Sequence, residues 1–183
     1  VMKNYILRNE NAIYYECGFS CDNVIFISLG SEKFFLTDAR YVLEAKEYAY
    51  NCTVVESRDL FQTAKVLLKD SKIKKLTFDP NDFTYFAYSE LVQDLDIEFI
   101  QEANFSKLKR IIKTDDEIAI LSKAAKLGRE GFKTLAKYIR KNAYNQKEEF
   151  LNFKAIEKMS QQGKYNLSFE PILAINENAA KPH

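Results

Sequence analysis

The sequence predicts an α/β fold: an amino-terminal domain with a mixed sheet flanked by helices, followed by a shorter α+β region of two helices and one strand. Three observations carry this. Between residues 24 and 100, short apolar runs alternate with amphipathic stretches of about a dozen residues, the pattern of helices laid on a sheet. Val24, Ile25, Phe26 and Ile27 are apolar without alternation, as in a strand covered on both faces. Thr114-Asp115-Asp116-Glu117 opens a long amphipathic stretch with a capping box, the Thr hydroxyl accepting from the third helical N–H and Glu117 accepting from the N–H of Thr114.

The elements follow in order. Residues 3–8 alternate weakly, and 9–15 read as a short helix or turn before Gly18. The strand at 24–27 is central. Gly30, Ser31 and Glu32 supply a turn, and 33–37 returns as a second strand, so the sheet starts antiparallel. Asp38 stands where its carboxylate accepts N–H groups at the start of a helix over 39–50, with Tyr41, Ala45, Tyr48 and Ala49 on one side. Residues 52–56 form the next strand. Asp59 begins a helix whose apolar positions are Leu60, Ala64, Leu67 and Leu68, and 73–78 is a further strand. Asp79, Pro80, Asn81 and Asp82 form a turn, 83–95 a helix and 97–100 a final strand.

These elements place the first domain at 1–104 and a basic linker at 105–113, with Lys107, Lys109, Arg110 and Lys113 read as a solvated helix rather than a phosphate site. The second domain is 114–183. Its first helix carries Ile118, Leu121, Ala125, Gly128, Phe132, Leu135 and Ile139 at steps of three and four, a stripe that suits a sheet or a coiled coil. Gly128 and Gly131 each cost roughly 1 kcal/mol in a helix interior, which close approach of another backbone would offset. Asn145 with Glu148 repeats the cap logic for a helix to about residue 162, ended by Gly163. Residues 171–175 then form a strand. Two amphipathic helices and one short strand do not make a sheet, so this domain is expected to be incomplete.

Composition narrows the function. The chain has 46% hydrophobic and 29% charged residues with five Gly and three Pro, which excludes disordered and fibrous classes. A net charge of +1 offers no electrostatic case for nucleic acid or an anionic membrane as partner. No apolar run approaches the ~20 residues of a membrane span, and the sequence reads as cytoplasmic. Cys17, Cys21 and Cys52 lack the spacing of a zinc site and read as reduced thiols packed as small apolar residues.

Three stretches carry a resemblance. Phe34-Phe35-Leu36-Thr37-Asp38-Ala39-Arg40-Tyr41 comes first, then Arg110-Ile111-Ile112-Lys113-Thr114-Asp115-Asp116-Glu117-Ile118. The third runs from Ser168-Phe169-Glu170-Pro171 to Asn178-Ala179-Ala180-Lys181-Pro182-His183. In this order they resemble the FLTDGRY, R-x-IK-T-x-x-E-I and SFDTIVASGxNxAxPH segments of the aminopeptidase P, prolidase and creatinase family of pita-bread metallopeptidases. Ala39 stands for the usual glycine and Glu170 for the usual aspartate, and Ile175-Asn176-Glu177 replaces Ser-Gly-x.

The resemblance implies a creatinase-like amino-terminal domain followed by the first helices and first strand of a truncated pita-bread domain. It implies a hydrolase using two divalent metal ions, manganese as a rule, that cleaves the peptide bond before proline as an Xaa-Pro aminopeptidase or dipeptidase. Such an enzyme takes a peptide substrate with proline second and works as a homodimer. His183, the sole histidine, matches the family's substrate-facing catalytic histidine, which is not a metal ligand. Phe169 is a candidate wall of the substrate pocket beside its bland reading as core. Asp38, Arg40 and Tyr41 read as cap and packing residues, with a subunit-interface role as the alternative. The family's metal ligands lie beyond the equivalent of His183, so no metal ligand is expected in these residues and the 183-residue chain alone is expected to be inactive. The competing classes are a non-catalytic relative serving as a protein-binding module and a creatinase-type hydrolase acting without metals.

Overall fold

The computed structural model describes residues 4–181. The chain divides into two compact units, Val1–Ile112 and Lys113–His183. The first unit is built on a six-stranded sheet, in the order β4-β3-β2-β1-β5-β6.

The weakly alternating start is a strand, β1 (Tyr5–Leu7), pairing antiparallel with β2 (Val24–Leu29) and parallel with β5 (Lys75–Phe78). Ile6 and Leu7 are buried on opposite faces, which is why three residues suffice to sit inside the sheet. The hairpin from β2 to β3 (Glu32–Thr37) closes through Gly30 and Ser31, with Phe26 opposite Phe35. Gly30 takes φ +68°, a conformation glycine reaches without a Cβ clash. β4 (Thr53–Glu56) and β6 (Glu98–Gln101) extend the sheet in parallel at its two edges.

The continuous apolar run of β2 has the expected cause. Ile25 and Ile27 face one core with Leu36, Leu76 and Phe78, beneath α3 (Leu60–Ser71) and α4 (Tyr85–Val92). Val24 and Phe26 face the other with Leu7 and Phe35, beneath α1 (Glu10–Cys17) and α2 (Val42–Tyr48). The unit is a three-layer α/β sandwich of the mixed type predicted. Asn9, Asp59 and Thr84 cap α1, α3 and α4 by accepting from the N–H groups of Ala12, Gln62 and Ala87.

Three expectations fail here. Asp38 does not cap α2, which starts at Val42 after Tyr41 with no side-chain cap, because Arg40 takes the carboxylate. Tyr48 lies 56% exposed; Val42 and Ala45 make the buried side of the helix. The basic stretch is also not wholly solvated. Residues 105–109 form α5 (Phe105–Lys109), with Phe105 edge-on to Tyr5 at 5.8 Å and Lys109 bonded to Glu16.

The second unit holds α6 (Asp115–Asn142) and α7 (Glu148–Met159). The capping box is formed as predicted, Glu117 N donating to Thr114 Oγ1 at 3.2 Å and Thr114 N donating to Glu117 Oε2 at 2.8 Å. Gly131 explains its own cost: a Cβ there would stand 3.0 Å from the carbonyl oxygen of Met159, so its absence lets α7 approach. Gly128 has open space around it. Asn145 is not a cap; it takes φ +58° in the turn between the helices, and α7 follows Lys147 without a side-chain cap. Residues 171–175 do not form a strand. A strand needs a ladder partner, and among the described residues of this unit there is none. The chain continues into a 3₁₀ turn, Asn176–Ala180.

Candidate functional site

The signature stretch of the first unit forms a staple at the end of β3. Asp38 accepts from Arg40 three times, from its backbone N–H at 2.8 Å, from Nε at 3.1 Å and from Nη2 at 2.8 Å, and it also accepts from the Asn23 amide. The fork from Arg40, then the Asn23 amide, holds the Asp38 carboxyl far below the usual carboxylate range. The Arg40 guanidinium lies 4.9 Å from the Tyr41 ring centroid, and the Tyr41 hydroxyl is bonded to Asp22, which raises its pKa. Asp38, Arg40 and Tyr41 thus tie the end of β3 to the loop entering β2. The sequence predicts that they cap and pack the first long helix; instead Asp38 serves a turn, and the contacts run to residues 22 and 23.

A second charged group in this unit was not legible in the sequence. Glu16, on α1, has a side chain only 7% exposed and bonds Lys33 of β3 at 3.3 Å and Lys109 of α5. Burial alone would raise its pKa; hydrogen bonds from Lys109 and from the Tyr5 hydroxyl outweigh this, so the net shift is downward. Tyr5, half-buried and bonded to that carboxylate, is pushed well above the ordinary tyrosine range. The partners come from positions 5, 16, 33 and 109, a separation that no local pattern reveals.

In the second unit the candidate segment is 166–181. Phe169 is 78% exposed, and it joins Ala124, Leu127, Gly128, Met159 and Leu167 in lining an apolar groove of about 480 Å³. Its ring is therefore accessible and does not fill a core. Glu148 holds the turn that precedes the histidine: its carboxylate accepts from Ile175 N at 2.7 Å and from the Asn178 amide at 3.2 Å. Read in the sequence as part of a cap, Glu148 instead clamps residues 27 and 30 positions downstream. His183 lies outside the described residues. Among the described residues no three His, Cys, Asp or Glu side chains come together as a metal cage.

The sequence model of the Creatinase/Prolidase N-terminal domain family matches residues 2–118. The uncharacterized peptidase YqhT of Bacillus subtilis (strain 168) is 27% identical over 184 residues, covering 97% of this chain and 50% of its own. The chain thus spans about half the length of that relative. Among solved structures, the Xaa-Pro dipeptidase from Bacillus anthracis is 26% identical with a TM-score of 0.75, over 87% of this chain and 44% of its own. The X-Pro aminopeptidase from Thermotoga maritima MSB8, at 20% identity, superposes with a TM-score of 0.81 over 100% of this chain and 53% of its own. The six-stranded sheet and its helices are therefore the fold of these peptidases over the part they share. With the match extending over more than half of its residues, the chain belongs to the Creatinase/Prolidase N-terminal domain family.

Proposed function

We propose that this chain is part of a metal-dependent Xaa-Pro peptidase that hydrolyses the peptide bond before proline. Membership of the Creatinase/Prolidase N-terminal domain family carries the reading. In this proposal residues 1–104 are the creatinase-like domain, 105–113 the linker, and 114–183 the opening of the pita-bread catalytic domain. The whole protein is a cytoplasmic homodimer acting on peptides with proline second.

His183 is the proposed catalytic residue, donating a hydrogen bond to the oxygen on which charge develops in the tetrahedral intermediate. Glu148 supports this role by fixing Ile175 and Asn178 a few residues upstream. Phe169, exposed on its groove, is the proposed apolar wall against the substrate. Two divalent ions, manganese in this reading, supply the activated water of such peptidases. The described residues offer no cage for them, so no step is assigned to metal within this chain, and the 183-residue chain alone is proposed to be inactive.

The test is hydrolysis by the whole protein, loaded with manganese, of a peptide with proline second. Release of the first residue, with His183→Ala reducing kcat by about 10²-fold or more, is the expected result. A metal-loaded protein that binds the peptide without cleaving it would favour a binding module instead.

A further inference from the structure

We propose that Cys17 and Cys52 are a reversible disulfide site, a dithiol that a hydroperoxide converts into a cross-link between the end of α1 and the start of β4. The backbone brings the two together. The carbonyl of Cys17, the last residue of α1, accepts from Tyr50 N at 2.9 Å. Gly18 follows at φ +75° with the Tyr50 ring laid against it so closely that a Cβ would stand 2.3 Å from Cε1. These contacts hold residues 50–52 on the end of α1. Both cysteines pack in the core beneath α1 and α2, where each perturbs the titration of the other, and the Cys17 thiol lies 3.3 Å from the carbonyl oxygens of Ile13 and Phe19.

The two sulfurs differ in access. Cys17 is fully buried, whereas Cys52 lines an open groove of about 720 Å³ with Lys33, Asn51 and Thr53. The neighbouring Cys52 lowers the pKa of Cys17 while Cys17 and burial raise that of Cys52, so the two thiols titrate as a pair that gives up its protons one at a time. The charged groups facing the pair are Lys33, whose ammonium favours the anion, and Glu16, which opposes it. Cys21, the third thiol of this core, is engaged elsewhere, with Thr37 Oγ1 at 3.3 Å and the carbonyl of Asn23.

The chemistry balances. In the singly deprotonated pair the proton moves to Cys17, and the accessible Cys52 sulfur attacks hydrogen peroxide. An S–O bond forms, the O–O bond breaks, and the leaving hydroxide takes the proton from Cys17. The Cys17 sulfur then displaces hydroxide from the Cys52 sulfenic acid and the S–S bond forms. Two thiols and one peroxide give one disulfide and two waters; the sulfurs lose two electrons and the peroxide gains them.

The experiment is titration of the intact native protein with hydrogen peroxide, followed by unfolding, alkylation with N-ethylmaleimide, and a non-reducing peptide map. The structure holds three free thiols. The expected result is a mass lower by two hydrogens before alkylation, a linked peptide containing residues 17 and 52, alkylation of Cys21 alone, and reversal by dithiothreitol. Cys52→Ser should abolish the link and Cys21→Ser should leave it. Because Cys17 is buried and its replacement could disturb the core, the wild-type map and these two variants decide the outcome. A linked peptide containing Cys21, a link between two molecules, or Cys52 passing to the sulfinic acid while Cys17 remains alkylatable would overturn the proposal.

Discussion

The two units use similar amphipathic helices and bury them very differently. In the first, α3 places Leu60, Ala64 and Leu68 in a core shared with four strands, and each of the three is at most 9% exposed. In the second, the stripe of α6 is mostly at the surface: Ile118, Leu121 and Phe132 are 51%, 53% and 64% exposed, and Gly131 and Leu135 alone are buried. Helical periodicity fixes which side chains share a face. Burial of that face depends on a second element being there, a property of the partner and not of the helix.

The largest expected contrast comes from deleting rings. Phe26 is fully buried between β2 and the helices on its face, so Phe26→Ala should destabilise the first unit by about 3–5 kcal/mol in urea unfolding. The matched deletion in the second unit, Phe132→Ala, should change stability by less than about 0.5 kcal/mol. Equal losses would show that the stripe of α6 is covered in solution.

Charge sharpens the contrast next. Glu16→Gln leaves Lys33 and Lys109 facing a half-satisfied amide and should cost about 1–3 kcal/mol. The folded pKa of Glu16 is depressed below its ordinary 4.5. Its contribution is thus complete above the unfolded value and is lost as pH falls through the lowered folded value. Unfolding curves of the variant between neutral and acid pH should lack that part of the acid-side fall.

Glycines test the second unit from the opposite direction. Gly131→Val should cost roughly 1–3 kcal/mol, because its side chain meets the Met159 backbone, which has no rotamer to yield. Gly128→Ala, with open space around it, should gain up to about 1 kcal/mol. Thermal melts of the two variants should move in opposite directions. The smallest expected effect is Thr114→Ala, which removes one side of the capping box and should lower helix stability by about 1 kcal/mol, read as faster amide exchange in the first turn of α6.

What the sequence revealed and what it hid divide along physical lines. The capping box at Thr114, the helix start at Asp59 and the two-faced strand at 24–27 are local chemistry, and each took the expected form. Asp38 differs because two carboxylate uses, helix cap and partner of Arg40, look alike until the backbone angle at residues 39–41 is known. Residues 171–175 have strand composition but no neighbour to pair with, and composition alone does not make a ladder. Glu148 and Glu16 act on residues 17 to 93 positions away, distances at which one sequence carries no signal.

The Glu16 contact also bears on the order in which the chain can fold. Its carboxylate lies on the first helix, yet one of its two cations arrives 93 residues later, on α5. As the chain leaves the ribosome, α1, β2 and β3 can assemble early, but the carboxylate then has only one cation, Lys33, beside the Tyr5 hydroxyl to offset its desolvation. The first unit thus closes its charge balance only when Lys109 has been made. A chain stopped short of that lysine keeps its strands and carries an underpaired anion in their midst.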